Sequence, residues 1–203
     1  RLRREALGVA VRPTCREGSV RITLDLEAGG ADYDPVDEVQ IRRLTALAEE
    51  FARALKDFLR REVAGYERAE LGPRPARIGI RESRRVRGRH VMTADEVLAG
   101  AVPSDTVCFS AWPMEWHEAG EAMRLVYPDK GAACGVPLRA LQARDVDNVF
   151  LAGRCLSATH EAQAALRVIG TSMATGQAAG LAAASTARGE EIDAAAIREV
   201  CSR

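Results

Sequence analysis

Residues 148–184 read NVFLAGRCLSATHEAQAALRVIGTSMATGQAAGLAAA, and the fold turns on how this stretch is read. Its opening, Asn148 to Gly153, is a short apolar run ending in glycine, which predicts a buried strand entering a tight turn. A helix is predicted over 171–184, in which Ser172, Gly176, Gly180 and Ala184 recur every four residues and form a ridge with almost no side chain. Each glycine costs such a helix about 1 kcal/mol relative to alanine, so the ridge implies a close neighbour, either a sheet or a ligand. The first turn of the helix offers unpaired N–H groups and partial positive charge, suited to a phosphate or an electron-rich carbonyl.

Upstream, SVRITLDLE over 19–27 alternates, with Val20, Ile22, Leu24 and Leu26 on one face, and predicts a half-buried antiparallel strand. Asp34 and Pro35 then read as the N-cap and first position of an amphipathic helix. Its apolar face carries Ile41, Leu44, Leu47, Ala48, Phe51, Leu55, Phe58 and Leu59, and its opposite face mixes Arg and Lys with Glu. Because those charges alternate in sign, they describe a solvated face more than a binding patch. Gly72, Pro73 and Pro75 break the chain before a short predicted strand over 77–80. A second helix starts at the capping box of Thr93 and Glu96 and closes at Gly100, and a last one is predicted over 193–200. Between them, Trp112, Trp116 and His117 lie in loop-rich sequence of the kind that lines a site.

Composition excludes several classes. With 47% apolar and 29% charged residues the chain can bury a core, and 29 basic residues balance 29 acidic ones, so no global field draws it to nucleic acid or to a membrane surface. No run approaches the roughly 20 apolar residues needed to span a bilayer. Five cysteines, Cys15, Cys108, Cys134, Cys155 and Cys201, include no CxxC pair, and their odd number argues against a disulfide framework, so a cytoplasmic location is expected. The sequence opens on Arg1 and passes quickly into strand-like residues, which suggests a natural start further upstream.

The run over 148–184 resembles the C-terminal signature of FAD-dependent oxidoreductases whose flavin domain is a glutathione-reductase-like Rossmann fold. A second element, Gly79-Ile80-Arg81-Glu82-Ser83-Arg84, resembles the G-I-R-E-S-R sequence in the substrate domain of one group of them, and Gly88 and the capping box follow it in the family's order. The resemblance covers roughly residues 20–190. It implies an α/β fold: an α+β substrate domain over 1–140 with a mixed, largely antiparallel sheet, and the closing part of an FAD-binding domain over 141–203. It implies FAD as cofactor, with Gly153 and Arg154 in the turn that passes the ribityl and pyrophosphate. Arg167, Gly170, Thr171, Ser172 and Met173 then lie beside the isoalloxazine, and Gly176 in the close-packed body of the helix. The opening G-x-G-x-x-G of such a domain is absent from these residues, so the resemblance further implies a missing N-terminal half or a partner chain that carries it. Where relatives often carry Asp-x-His, this chain has Glu115-Trp116-His117.

The expected activity is hydride transfer between a small organic substrate and FAD, these residues alone being inactive; the alternative is a non-catalytic subunit or interaction module that keeps the fold without binding cofactor. Arg81, His117 and His160 are the catalytic candidates. Arg81, like Arg84 and Arg85, can anchor a carboxylate substrate or simply pair with Glu82 and Asp95. His117 and His160 can move protons or serve as polar lining. Cys155 reads as a small buried residue. No metal is expected: His117-Glu118 and His160-Glu161 start an H-E-x-x-H pattern but lack its second histidine.

Overall fold

The structure is a computed structural model that describes residues 6–26, 34–116 and 124–202. Mixed helices and small antiparallel sheets make up these residues, consistent with an α/β fold. The described residues of Arg1–Ser83 form one compact unit, and those of Arg84–Trp116 and Met123–Arg203 form a second.

In the first unit, β1 (Ala6–Pro13) pairs antiparallel with β2 (Val20–Leu26), with Val9 opposite Leu24 and Val11 opposite Ile22. The connecting turn closes on a hydrogen bond between the Thr14 and Ser19 hydroxyls, with Gly18 at φ 69°. Helix α1 (Glu38–Glu62) follows. Its N-cap is Asp37 and not Asp34: the Asp37 carboxylate accepts the Val39 and Gln40 amides at 2.8 and 3.3 Å, while Asp34 accepts the Val36 amide at 3.0 Å in a turn before the helix. Both aspartates can cap, and only three-dimensional placement selects between them. Phe51 is buried and the other apolar residues of that face are half-buried, except Phe58, which is exposed. On the charged face, pairs such as Arg42–Glu38 at 3.3 Å are exposed and contribute about 0.3–0.5 kcal/mol each. The strand expected over 77–80 does not form, and that segment is irregular. A strand needs a partner ladder, and a segment just after two prolines and holding Gly79 is poorly suited to find one.

The second unit holds the main core, with Met92, Val107, Leu141, Leu156 and Leu166 all but inaccessible. Helix α2 (Ala94–Leu98) begins at Thr93 in a full capping box: the Glu96 carboxylate accepts the Thr93 amide at 2.7 Å and Thr93 Oγ1 accepts the Glu96 amide at 3.3 Å. Burial pushes the Glu96 carboxyl up, but the Thr93 amide and His90, 2.8 Å away, outweigh it and hold the group below its usual value. Strand β3 (Thr106–Ser110) pairs antiparallel with β6 (Cys134–Pro137), and β4 (Met114–Trp116) with β5 (Arg124–Val126). Helices α3 (His160–Leu166), α4 (Ile169–Ala187) and α5 (Ala194–Cys201) complete the unit; α3 packs on β4, and both α4 and α5 pack on β3.

Two expectations change here. Asn148 to Gly153 is no strand: Phe150 makes a single bridge to Gln142, Leu151 donates to the Leu141 carbonyl at 2.7 Å, and the chain turns directly into the 3₁₀ turn Gly153–Cys155. The small-residue ridge of α4 does not lie against the sheet. Thr171, Thr175, Ala178 and Ala182 make the buried stripe, whereas Gly176 and Gly180 are exposed and a Cβ on either would meet nothing within 4 Å. The buried stripe lies one residue round the helix from the ridge, so a four-residue spacing alone cannot tell which of the two faces the core. Gly176→Ala and Gly180→Ala are therefore expected to stabilise this chain by about 1 kcal/mol each through helix propensity, read as a rise in the urea midpoint at constant m. A loss of stability would mean the ridge is covered.

Candidate functional site

Ala152 is extended, at φ −151° and ψ 161°, and Gly153 then takes φ 61°, a value an L side chain reaches only under strain. The reversal is tied down on several sides. The Gly153 amide donates to Thr175 Oγ1 at 3.0 Å, and that hydroxyl in turn reaches the Thr171 carbonyl at 2.8 Å. Buried Gln163 donates to the Arg154 carbonyl at 2.6 Å, and the Val86 amide to the Cys155 carbonyl at 3.0 Å. Arg154 and Cys155 themselves are exposed, so Cys155 is not the small core residue its sequence suggested. A turn whose backbone bonds are internally satisfied is free to direct its side chains outward, which reverses the burial expected of Cys155.

Beside this turn, α4 starts without a cap. Asp37, Thr93, Thr159 and Asp193 cap the other four helices with their side chains, but α4 begins after Val168, which has none to offer. The first bond along the helix is from the Ser172 amide to the Val168 carbonyl at 2.8 Å, so the amides of Ile169, Gly170 and Thr171 lie at the positive end of the helix with no partner in it. Ile169 is 80% and Met173 71% exposed, and Gly170 has open space beyond its Cα. Thr171 points inward and anchors this end: its hydroxyl donates to Ser110 Oγ at 3.0 Å, and Ser110 to the Ala165 carbonyl at 3.3 Å. A Cβ on Gly153 would sit 3.5 Å from Ser172 Oγ, so turn and helix start form one surface.

Of the residues expected in a site, the structure brings Gly153, Thr171 and Ser172 together and exposes Arg154, Gly170, Met173 and Gly176 in the same unit. Arg167 closes α3 and faces Glu115, Nη2 to Oε2 3.4 Å. His160 is exposed at the start of α3, with its ring edge-on to Trp116 at a centroid distance of 6.4 Å. Arg81 is exposed in the first unit, and His117 lies outside the described residues. Glu115, which the sequence singled out only beside Trp116 and His117 and gave no partner, accepts from Trp112 Nε1 at 3.1 Å and faces Arg167. A carboxylate three residues after a loop tryptophan was the available signal.

Other features of the chain carry less chemistry. An open cleft of about 490 Å³ includes Ser104, Asp105, Glu191 and Asp193, but Asp105 is engaged by Arg139 at 3.0 and 3.2 Å and Asp193 caps α5. Burial, with Cys201 nearby, pushes the Cys108 thiol up to about 12, and burial pushes Cys134 up to about 11, so both stay protonated and unreactive at neutral pH. Among the described residues no group of three His, Cys, Asp or Glu side chains could hold a metal ion, and no helix is long and apolar enough to cross a membrane.

The sequence model of the family described as FAD dependent oxidoreductase matches residues 8–200. No curated protein and no solved structure matches the chain.

Proposed function

The chain belongs to the FAD dependent oxidoreductase family, whose cofactor is FAD, and on that premise we propose that it forms the part of a flavin site that faces the reacting ring. The observation that carries this is the pairing of the Gly153 reversal with the uncapped start of α4, joined through Thr175. The donor set fits the group. Three helix-start amides without intrahelical partners suit the electron-rich edge of a reduced flavin, and an exposed arginine beside a glycine turn suits a phosphate.

FAD, when bound, supplies the acceptor or donor of a hydride, and the protein positions it and tunes its electronics. In this reading Gly153 brings backbone close to the ribityl chain and Arg154 meets the pyrophosphate. Gly170 and Thr171 stabilise negative charge with their amides, and Met173 covers the ring with an apolar side chain. His160, against Trp116, is the proton donor or acceptor for the substrate, with His117 the other candidate; Arg81 holds an anionic group on the substrate. The flavin domain is taken as Rossmann-like of the glutathione-reductase kind, and residues 79–84 as its companion motif in the substrate domain. A G-x-G-x-x-G segment, in the same protein or in a partner chain, supplies the adenosine contacts. Five cysteines without a disulfide among them support a reducing cytoplasm.

These 203 residues on their own are accordingly expected to hold no stoichiometric flavin, since the adenosine and most pyrophosphate contacts lie outside them. The absorbance of the purified chain in the flavin bands, with and without the G-x-G-x-x-G part, tests it. A one-to-one yellow chain would show that the site is complete in these residues. Failure of the natural protein to bind FAD would favour the non-catalytic alternative.

A further inference from the structure

Gln163 is a buried amide among apolar neighbours. It lies on α3 with buried Ala162, Ala165 and Leu166, is 1% exposed, and donates from Nε2 to the Arg154 carbonyl at 2.6 Å. Among the described residues its Oε1, also buried, has no hydrogen-bond partner. A buried acceptor left unmade costs more than one made hydrogen bond contributes, and an apolar side chain of the same size avoids that cost. The core alone therefore gives little reason for a glutamine here. What its bond does fix is the glycine turn. Thr175 of α4, fully buried, accepts the Gly153 amide at 3.0 Å, so the peptide before Gly153 is held from α4 and the peptide after Arg154 from α3. Peptide units are planar, so holding these two leaves the backbone dihedrals of Gly153 and Arg154 little freedom, the φ of 61° at Gly153 included.

We propose that Gln163 is a positioning residue for the cofactor: together with Thr175 it clamps the Gly153–Arg154 turn between two helices, in the conformation that meets FAD. This rests on the flavin placement given above. Gln163 acts through the Arg154 backbone and does not touch the flavin. Gln163→Met keeps the volume and the helix propensity but offers no donor, so one end of the turn is released. The Val86 amide, on the Cys155 carbonyl at 3.0 Å, holds the chain beyond the turn and stays in place. FAD must then order a loosened turn as it binds, which should raise its Kd about tenfold. Releasing either end frees the same dihedrals, so the second release should add little to the first.

The experiment uses the natural FAD-binding protein as wild type, Gln163→Met, Thr175→Val, Thr175→Ser and the Gln163→Met/Thr175→Val double variant. The Kd for FAD, the thermal midpoint of the apo-protein and amide exchange of the apo-protein at Gly153 and Leu156 are measured in each; Leu156 donates to the Gly153 carbonyl and reports the same turn. Four results are expected: Gln163→Met binds FAD about tenfold more weakly with the apo midpoint of wild type, its Gly153 and Leu156 amides exchange faster while that of Ala182 does not, the double variant is little weaker than the weaker single one, and Thr175→Ser, which keeps the hydroxyl, binds as wild type. Gln163→Leu is read in the same way where the methionine variant does not fold. Unchanged FAD affinity, a loss of affinity matched by a fall in the apo midpoint, or losses that multiply in the double variant overturns the proposal. A wild-type protein that binds no flavin overturns the placement instead, and exchange then decides whether Gln163 holds the turn: unaltered exchange at Gly153 and Leu156 in Gln163→Met ends that role too.

Discussion

Gly153→Val is expected to leave the protein folded but largely stripped of flavin. The residue sits at φ 61°, where an L side chain costs about 1–2 kcal/mol and a branched one more. Space is not the obstacle, because the nearest atoms to an added Cβ are Ser172 Oγ at 3.5 Å and Ser172 Cβ at 3.6 Å, ordinary contacts. The backbone must therefore relax, and relaxation draws the Gly153 amide away from Thr175 Oγ1, the bond that holds the turn on α4. Loss of one such bond costs about 0.5–1.5 kcal/mol, which a core built around Met92, Leu141, Leu156 and Leu166 should survive. The cofactor has no such reserve if it lies against this backbone. Asparagine tolerates left-handed geometry, so Gly153→Asn is the control and should keep far more flavin than the valine variant at similar stability. Equal, full occupancy in both would detach Gly153 from the cofactor.

A second large effect is expected at Arg81, which the structure leaves exposed in an irregular segment of the first unit. Lysine there keeps the charge but loses the planar fork that grips a carboxylate with two parallel bonds. If Arg81 clamps an anionic group of the substrate, Arg81→Lys in the natural enzyme lowers kcat/KM by up to about 10²-fold while flavin content and thermal midpoint stay as in wild type. Steady-state kinetics with an anionic and a neutral substrate of similar shape separate the cases, since only the anionic one should suffer. Equal kinetics on both would make Arg81 a structural residue.

The elements legible in the sequence were those whose signal is local. Helix α1 follows from eight apolar residues at three- and four-residue spacing, α2 from the Thr93–Glu96 box, and β2 from strict alternation, and all three form close to where they were expected. What failed depended on partners. The run from Asn148 has the composition of a buried strand, but a ladder requires neighbours, and among the described residues Phe150 finds only Gln142. The α4 ridge has the composition of a close-packed face, yet the stripe beside it is the one that reaches the core. The same division holds at the site. Gly153 and the start of α4 were readable as a turn and a helix end, whereas Glu115 meets Arg167, 52 positions away, a distance no local pattern reports.

The most direct test of this account is amide hydrogen exchange at Ile169, Gly170 and Thr171 in the natural protein, with and without FAD. These amides have no partner along α4. A flavin placed against them should slow their exchange by about tenfold or more, while amides deep in α4 such as that of Ala182 change little. Protection concentrated at the helix start is the predicted result. One FAD bound per protein with exchange at these three amides unaltered would contradict it and place the cofactor elsewhere.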